Sequence, residues 1–568
     1  MTASADLLGI ADEYWEARLE ASPLYASFLG DHRYDGRADD LSAEAEQRRR
    51  ARWATLLDSA NGVAVDNLDD VDGVTRDLLA EELADSIRSI DHRLIELACD
   101  QMQGAHAELL MLAQQLRAPE PEHARMALAR IGELARMLDQ AAERYVSGVR
   151  AGRTPAHINV ARSLNQLTGY LDSPLAADPF VNLAGPKDWA DVDGWRSEMS
   201  DAVRDVLRPA FGRYRDVYLA ELQPVARPDD RPGLCHIPDG ERLYQALIEH
   251  HVGLPLTAAE LHEIGRDETT NMLLAEFADI GSRAFGTADL GQIFDKLKND
   301  PDLRYRDGDA IVAHAQRCLD AASAAMGDWF GILPKAPCVL TPVPDYLAAD
   351  IAPAYYMPPA PDGSRPGEYH VNLYQPTERG RYSTAAIAYH EAIPGHHLQL
   401  AIATERTDLP AFRRMTAAHT AFVEGWALYT ERLADEMGLY ESPLDRLGMV
   451  ASDCWRACRL VVDTGLHAMG WSRQQAIDFM VEHMPVDVDT ITVEVDRYIG
   501  MPAQALAYKV GQREILQLRA DARERLGERF DIKGFHDVVL GAATISLPVL
   551  RRRVEQWIQV QELARPAH

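Results

Sequence analysis

The chain has 568 residues, 47% hydrophobic and 26% charged, with 58 basic against 88 acidic residues and a net charge of −30. This is the composition of a soluble globular protein, long enough to bury a large core and to divide into two or more domains. The acidic excess argues against nucleic acid or an anionic membrane surface as a partner, and no apolar run reaches the roughly 18 residues that a transmembrane helix needs.

Taken in chain order, Met1 to Tyr14 carries Asp6, Asp12 and Glu13 where a signal peptide would carry basic residues. Six scattered cysteines suit a reducing compartment, so the expected location is cytoplasmic. Long stretches with helical periodicity follow, among them Met126 to Val149, Trp195 to Leu222 and Ile311 to Phe330. Pro224, Pro228, Pro232 and Pro238 interrupt the pattern. They predict a boundary between an N-terminal helical domain, 1–230, and a second domain, 231–568, the two forming one cleft. Beyond the boundary, Thr257 and Glu260 have the spacing of a capping box at a helix start.

From Pro334 to Pro376 the pattern is irregular. Here Glu368 to Tyr374 alternates Tyr369, Val371 and Leu373 with His370, Asn372 and Tyr374, which predicts a strand. Such a strand could offer its edge to an extended peptide, although by itself the pattern is better explained by a plain sheet edge.

The segment whose chemistry can be named is His390-Glu391-Ala392-Ile393-Pro394-Gly395-His396-His397. It follows the apolar run Ala385 to Tyr389, and a carboxylate and an imidazole buried there without a partner would cost several kcal/mol. A divalent cation is the natural partner. In zinc hydrolases, His-Glu followed by a second His supplies one ligand, a general base and another ligand. The usual second histidine lies at i+4, but here that position is Pro394. In a straight helix His396 would point about 120° away from His390, and His397 would sit about 10 Å along the axis. Neither could share an ion with His390 unless the helix breaks, and Pro394-Gly395 supplies the break. The second ligand is therefore His396 or His397, with His396 preferred. Glu424 follows His390 by 34 positions (424 − 390), inside the apolar run Phe422 to Tyr429, and is the expected third ligand.

His390-Glu391-Ala392-Ile393-Pro394-Gly395-His396-His397-Leu398-Gln399 resembles the signature of the bacterial family called domain of unknown function 885. Phe422 to Ala427, Val462 to His467, Pro502 to Lys509 and Asn372-Leu373-Tyr374 fit the same pattern. The arrangement is also similar to the gluzincins of the thimet-oligopeptidase, carboxypeptidase Taq and angiotensin-converting-enzyme group. That resemblance implies a mainly α, long-helix zincin-like cleft fold with a small β-sheet beside the metal-binding helix. It implies one Zn2+ per chain on His390, His396 or His397, and Glu424, with Glu391 as general base. Tyr508 maps onto the late tyrosines that donate to the developing oxyanion, and His467 is a further candidate donor.

Lys509, Arg456 and Arg459 could hold a substrate carboxylate. The expected activity is hydrolysis of short peptides or acylated amino acids. The rivals are a metal-dependent amidohydrolase on non-peptide amides and a non-catalytic helical binding protein with a structural metal. Glu391, which a purely structural site would not need, favours an enzyme.

Overall fold

A computed structural model describes residues 2–344, 348, 352–360, 363, 365–415 and 418–563. The chain is mainly helical with one small sheet, as expected. It groups into two compact units. The first comprises Met1–Tyr244 with Leu466–Gln474 and Asp496–Pro502; the second comprises Gln245–Gly465, Gln475–Val495 and Ala503–His568. The prolines from 224 to 238 thus belong to the first unit. No helix among the described residues is long and apolar enough to cross a membrane.

In the first unit the longest helix is α1 (Pro121–Arg150), opened by a proline whose missing N–H would have no helical partner in any case. Ala127, Ile131, Leu134, Leu138, Ala141 and Tyr145 recur every three or four residues and are all buried. They meet the run Val192–Leu222, which is helical throughout but widens into π turns at Val203–Leu207 and Tyr218–Leu222. Each π turn ends two positions before a proline, Pro209 or Pro224. A proline cannot donate to the preceding turn and clashes with it; the wider turn lets the helix run on past Pro209, whereas at Pro224 it narrows to a 3-10 turn and ends. Tyr145, Tyr214 and Tyr218 form the buried polar heart of this unit. Tyr214 bonds both other hydroxyls at 3.3 and 3.2 Å, and Tyr218 donates to the Cys99 carbonyl at 3.0 Å.

The second unit contains α2 (Gly308–Trp329) and three strands: β1 (Cys338–Pro342), β2 (Ala354–Met357) and β3 (Gly367–Val371). The order is β1-β3-β2, with β3 parallel to β1 and antiparallel to β2. The strand expected from Glu368 to Tyr374 is therefore central, with both edges paired, and has none to offer a peptide. It also stops early. The Asn372 side chain accepts from the Tyr374 N–H at 2.9 Å and donates to the Ala348 carbonyl at 2.7 Å, turning the chain out of the sheet.

Five further helices frame the region of interest: α3 (Thr384–Glu391), α4 (His396–Glu405), α5 (Thr420–Glu436), α6 (Pro443–His467) and α7 (Ala507–Leu526). Helices α5 and α7 pack backbone to backbone. A Cβ on Gly425 would lie 2.4 Å from the Gly511 Cα, and one on Gly511 would lie 1.8 Å from the Ala421 carbonyl oxygen. Neither neighbour is a side chain that can swing away. Gly425→Ala or Gly511→Ala should therefore lower stability by about 2–3 kcal/mol or more, read as a fall in the urea midpoint. A midpoint within error of the parent for both variants would show that this helix pair is not packed as described.

Candidate metal centre

Helix α3 delivers His390 and Glu391 as its last two residues, and α4 begins on His396. The helical path is lost at Ala392 (φ −99°, ψ −108°) and resumed after Gly395 (φ −77°, ψ −126°). Gly395 is required by space rather than by dihedral: a Cβ there would lie 1.9 Å from the His390 carbonyl oxygen and 2.4 Å from that of Tyr389. The buried indole of Trp426 on α5 fixes the turn by donating to the Pro394 carbonyl at 3.0 Å. The insertion therefore does break the helix, and the break turns His396 back towards His390. Their rings lie 4.9 Å apart and almost perpendicular.

Helix α5 crosses this break. Thr430 donates to the Tyr389 carbonyl at 3.1 Å, locking α5 to the end of α3. Glu424 Oε2 lies 3.7 Å from His390 Nε2 and 3.5 Å from His396 Nε2. One donor atom from each of these three residues falls within 4.8 Å of the others. Two turns further along α5, Glu431 Oε1 accepts from His390 Nδ1 at 2.8 Å. In the neutral imidazole that bond would leave the Nε2 lone pair free for an ion, the arrangement by which outer carboxylates orient metal-ligating imidazoles. Sequence reasoning missed Glu431. Its signal was a second carboxylate seven positions after Glu424 in the same buried run, which places it on the same helix face.

The side chains of His390, His396, Glu424 and Glu431 are 5%, 12%, 19% and 1% exposed, so the charges are largely withdrawn from water. Burial pulls the His390 pKa down, yet the adjacent Glu424 carboxylate and the hydrogen-bonded Glu431 outweigh it and hold the imidazole at about 9. Burial alone would raise the Glu424 carboxyl, but the two adjacent imidazoles bring it far below the ordinary range. Glu391 goes the other way. Burial lifts it, helped by the Glu424 charge, while His390, His396 and Arg456 pull against the rise. Among the described residues Glu391 has no hydrogen-bond partner. Two imidazole nitrogens and a carboxylate oxygen at this separation could hold a metal ion, and zinc is commonly taken by three such ligands with a position left open. The residues present fit the ion.

The other expected residues divide. Tyr508 on α7 is half-buried, its ring 6.5 Å from that of His390 and nearly parallel, so it belongs to the site. The Arg459 guanidinium lies 4.5 Å from the Tyr508 ring centroid and pairs with Glu494 at 3.0 Å.

His397 is not a ligand: its Nδ1 takes the Tyr356 hydroxyl at 2.9 Å, and its Nε2 donates to the Ala336 carbonyl at 3.2 Å. Burial lowers its pKa to about 4, so it is a neutral strut between α4 and the sheet. His467 is corrected in the same way. It lies in the first unit, fully buried, accepting from the Leu234 N–H at 3.2 Å and donating to the Tyr498 carbonyl at 3.0 Å. Burial lowers it to about 3. Lys509 is not available to a substrate either, because its ammonium is buried against Asp453, Glu268 and Gln512 at 2.5, 3.0 and 2.8 Å.

The family described as bacterial protein of unknown function (DUF885) matches residues 23–554. Among solved structures, the chain is similar to the "putative lipoprotein" from Colwellia psychrerythraea, with a TM-score of 0.92 and 25% identity over 99% of this chain and 100% of that one. It is also similar in fold to a "putative lipoprotein of unknown function" from Shewanella oneidensis, with a TM-score of 0.75 and 20% identity over 96% and 98% of the two chains. No curated protein matches the chain. The word lipoprotein, applied to both neighbours, runs against the cytoplasmic location expected above.

Metal content separates the two histidines. Protein purified without chelator or affinity metal should carry about one zinc per chain by plasma mass spectrometry. His390→Ala, His396→Ala and Glu424→Ala should each lose most of it, while His397→Ala should keep it. Retention by His396→Ala together with loss by His397→Ala would reverse the ligand assignment.

Proposed function

The chain belongs to the DUF885 family of bacterial proteins, and within it we propose that this member is a zinc-dependent metallopeptidase cleaving short peptides or acylated amino acids. The observation that carries the reading is the convergence of His390, His396 and Glu424 beside Glu391, a half-buried carboxylate with no hydrogen-bond partner among the described residues. A structural metal would need the three ligands but would have no use for that fourth group.

His390, His396 and Glu424 would hold the ion. When bound, zinc supplies Lewis acidity, acidifying a water and polarising a carbonyl. Glu391 is assigned the proton. Its carboxylate takes one from the attacking water and passes it to the leaving amine, and a pKa lifted by burial suits a group that must both accept and release. Tyr508 is assigned a hydrogen bond to the developing oxyanion, supported by its ring lying almost parallel to that of His390. Glu431 orients His390 from behind, and the half-buried setting limits water around the reacting atoms. The gluzincin resemblance is consistent with this division of labour and rests on the motif.

Glu391→Gln keeps size and removes the base. It should retain its zinc while kcat on a peptide library falls by 10² or more. Tyr508→Phe should lower kcat about 10²-fold with little change in KM. Zinc-loaded parent that cleaves no peptide or acylated amino acid, or a Glu391→Gln variant as fast as the parent, would overturn the proposal.

A further inference from the structure

We infer that Arg456 is a positioning residue of the metal centre, completing an Arg456–Glu431–His390 chain and balancing the charge of its third carboxylate. The inference rests on the metal-centre reading above. Sequence alone offered Arg456 as a substrate anchor; its surroundings point inward instead.

Arg456 lies on α6, and its Nη1 donates to the Ser452 hydroxyl at 2.6 Å and carbonyl at 3.2 Å, fixing the guanidinium against its own helix. The opposite edge faces Glu431, with Nη2 3.9 Å from Oε1. Arg456 Nε and Glu431 Oε2 are both buried, and neither has a hydrogen-bond partner. Buried polar atoms are nearly always paired, so an orphan on each of two oppositely charged groups that approach within 3.9 Å through other atoms is informative. A bidentate guanidinium–carboxylate pair closes at about 2.8 Å, and this one stands about 1 Å short of it. The Glu431 oxygen nearest Arg456 is the same Oε1 that accepts from His390 Nδ1. One carboxylate thus separates the guanidinium from a ligand imidazole. Arg456 also sits 5.9 Å from the Tyr508 ring centroid, and its charge reaches Glu391.

Charge matching singles out the same residue. The neighbouring cations have close carboxylates of their own: Arg459 has Glu494, Lys509 has Asp453 and Glu268, and Arg432 has Asp453 and Glu276. Glu391, Glu424 and Glu431 put three negative charges into a largely buried space. A divalent cation cancels two of them, and Arg456 is the cation in reach of the third. Without it the loaded site would carry an uncompensated buried charge, which proteins tolerate poorly.

The test is a set of zinc dissociation constants, measured by competition with a chromophoric chelator, on the full-length parent, Arg456→Gln, Arg456→Lys, Glu431→Gln and the Arg456→Gln/Glu431→Gln double variant. Urea midpoints establish that each is folded. Arg456→Gln should weaken zinc binding by 10- to 100-fold, and Arg456→Lys, which keeps the charge, should bind within about threefold of the parent. If the two residues act in one chain, adding Arg456→Gln to Glu431→Gln should cost less than about threefold more. The visible spectrum of the cobalt-loaded protein should change in Arg456→Gln and return in Arg456→Lys. Parent-like zinc affinity in Arg456→Gln, or full multiplication of the two effects, would overturn the positioning role while leaving the metal centre intact. A parent that binds no zinc would overturn both. If Arg456→Gln does not fold, the lysine variant decides: a loss beyond about threefold ends the charge-balance explanation.

Discussion

Polar groups of both signs are concentrated where the chain has almost no water to offer them, and the structure around α3, α4 and α5 follows from that. Two imidazoles and three carboxylates share this space because histidine and carboxylate are set beside one another, only Glu391 lacking such a partner among the described residues. Helix α5 makes this possible by carrying Glu424 and Glu431 on one face, two turns apart. His390 lies between them with one ring nitrogen on each.

That placement depends on backbone contacts well outside the cluster. Gly395 lets the chain double back against the carbonyls of α3, and Trp426 and Thr430 bind both sides of the break to α5. Gly425 and Gly511 let α7 approach α5 closely, and α7 is the helix that brings Tyr508 to His390. Stiffness of this kind is what the proposed hydrolysis would require, because reacting groups must be in place before substrate arrives.

The histidines show how little residue type decides by itself. His390 and His396 face carboxylates; His397 and His467 are as deeply buried but face backbone carbonyls, N–H groups or a tyrosine hydroxyl. Carboxylate partners hold His390 at about 9, whereas desolvation takes His397 to about 4 and His467 to about 3. A charged neighbour makes an imidazole a candidate for ions and protons, and a backbone neighbour makes it a strut.

Much of this was legible in the sequence because it depends on local rules. Apolar spacing located long helices at Met126 to Val149, Trp195 to Leu222 and Ile311 to Phe330, though not the π turns within the second. The Thr257–Glu260 capping box forms as its spacing requires. The impossibility of sharing an ion across Pro394 in a straight helix demanded the break that is seen. Other features depend on which elements meet, and no local rule contains that. The strand from Glu368 is central because residues 338–342 and 354–357 pair on either side of it. His396 rather than His397 faces Glu424 because the turn, held by Trp426, rotates α4 by an amount that spacing cannot supply. Lys509 is withdrawn from the site by Asp453 and Glu268, distant in sequence and near only in the fold. Glu431 and Arg456 gain their significance from the single fact that both lie beside the far side of His390. The sequence by itself determined the chemistry on offer and the need for a break; the packing of helices around that break decided which side chains could use it.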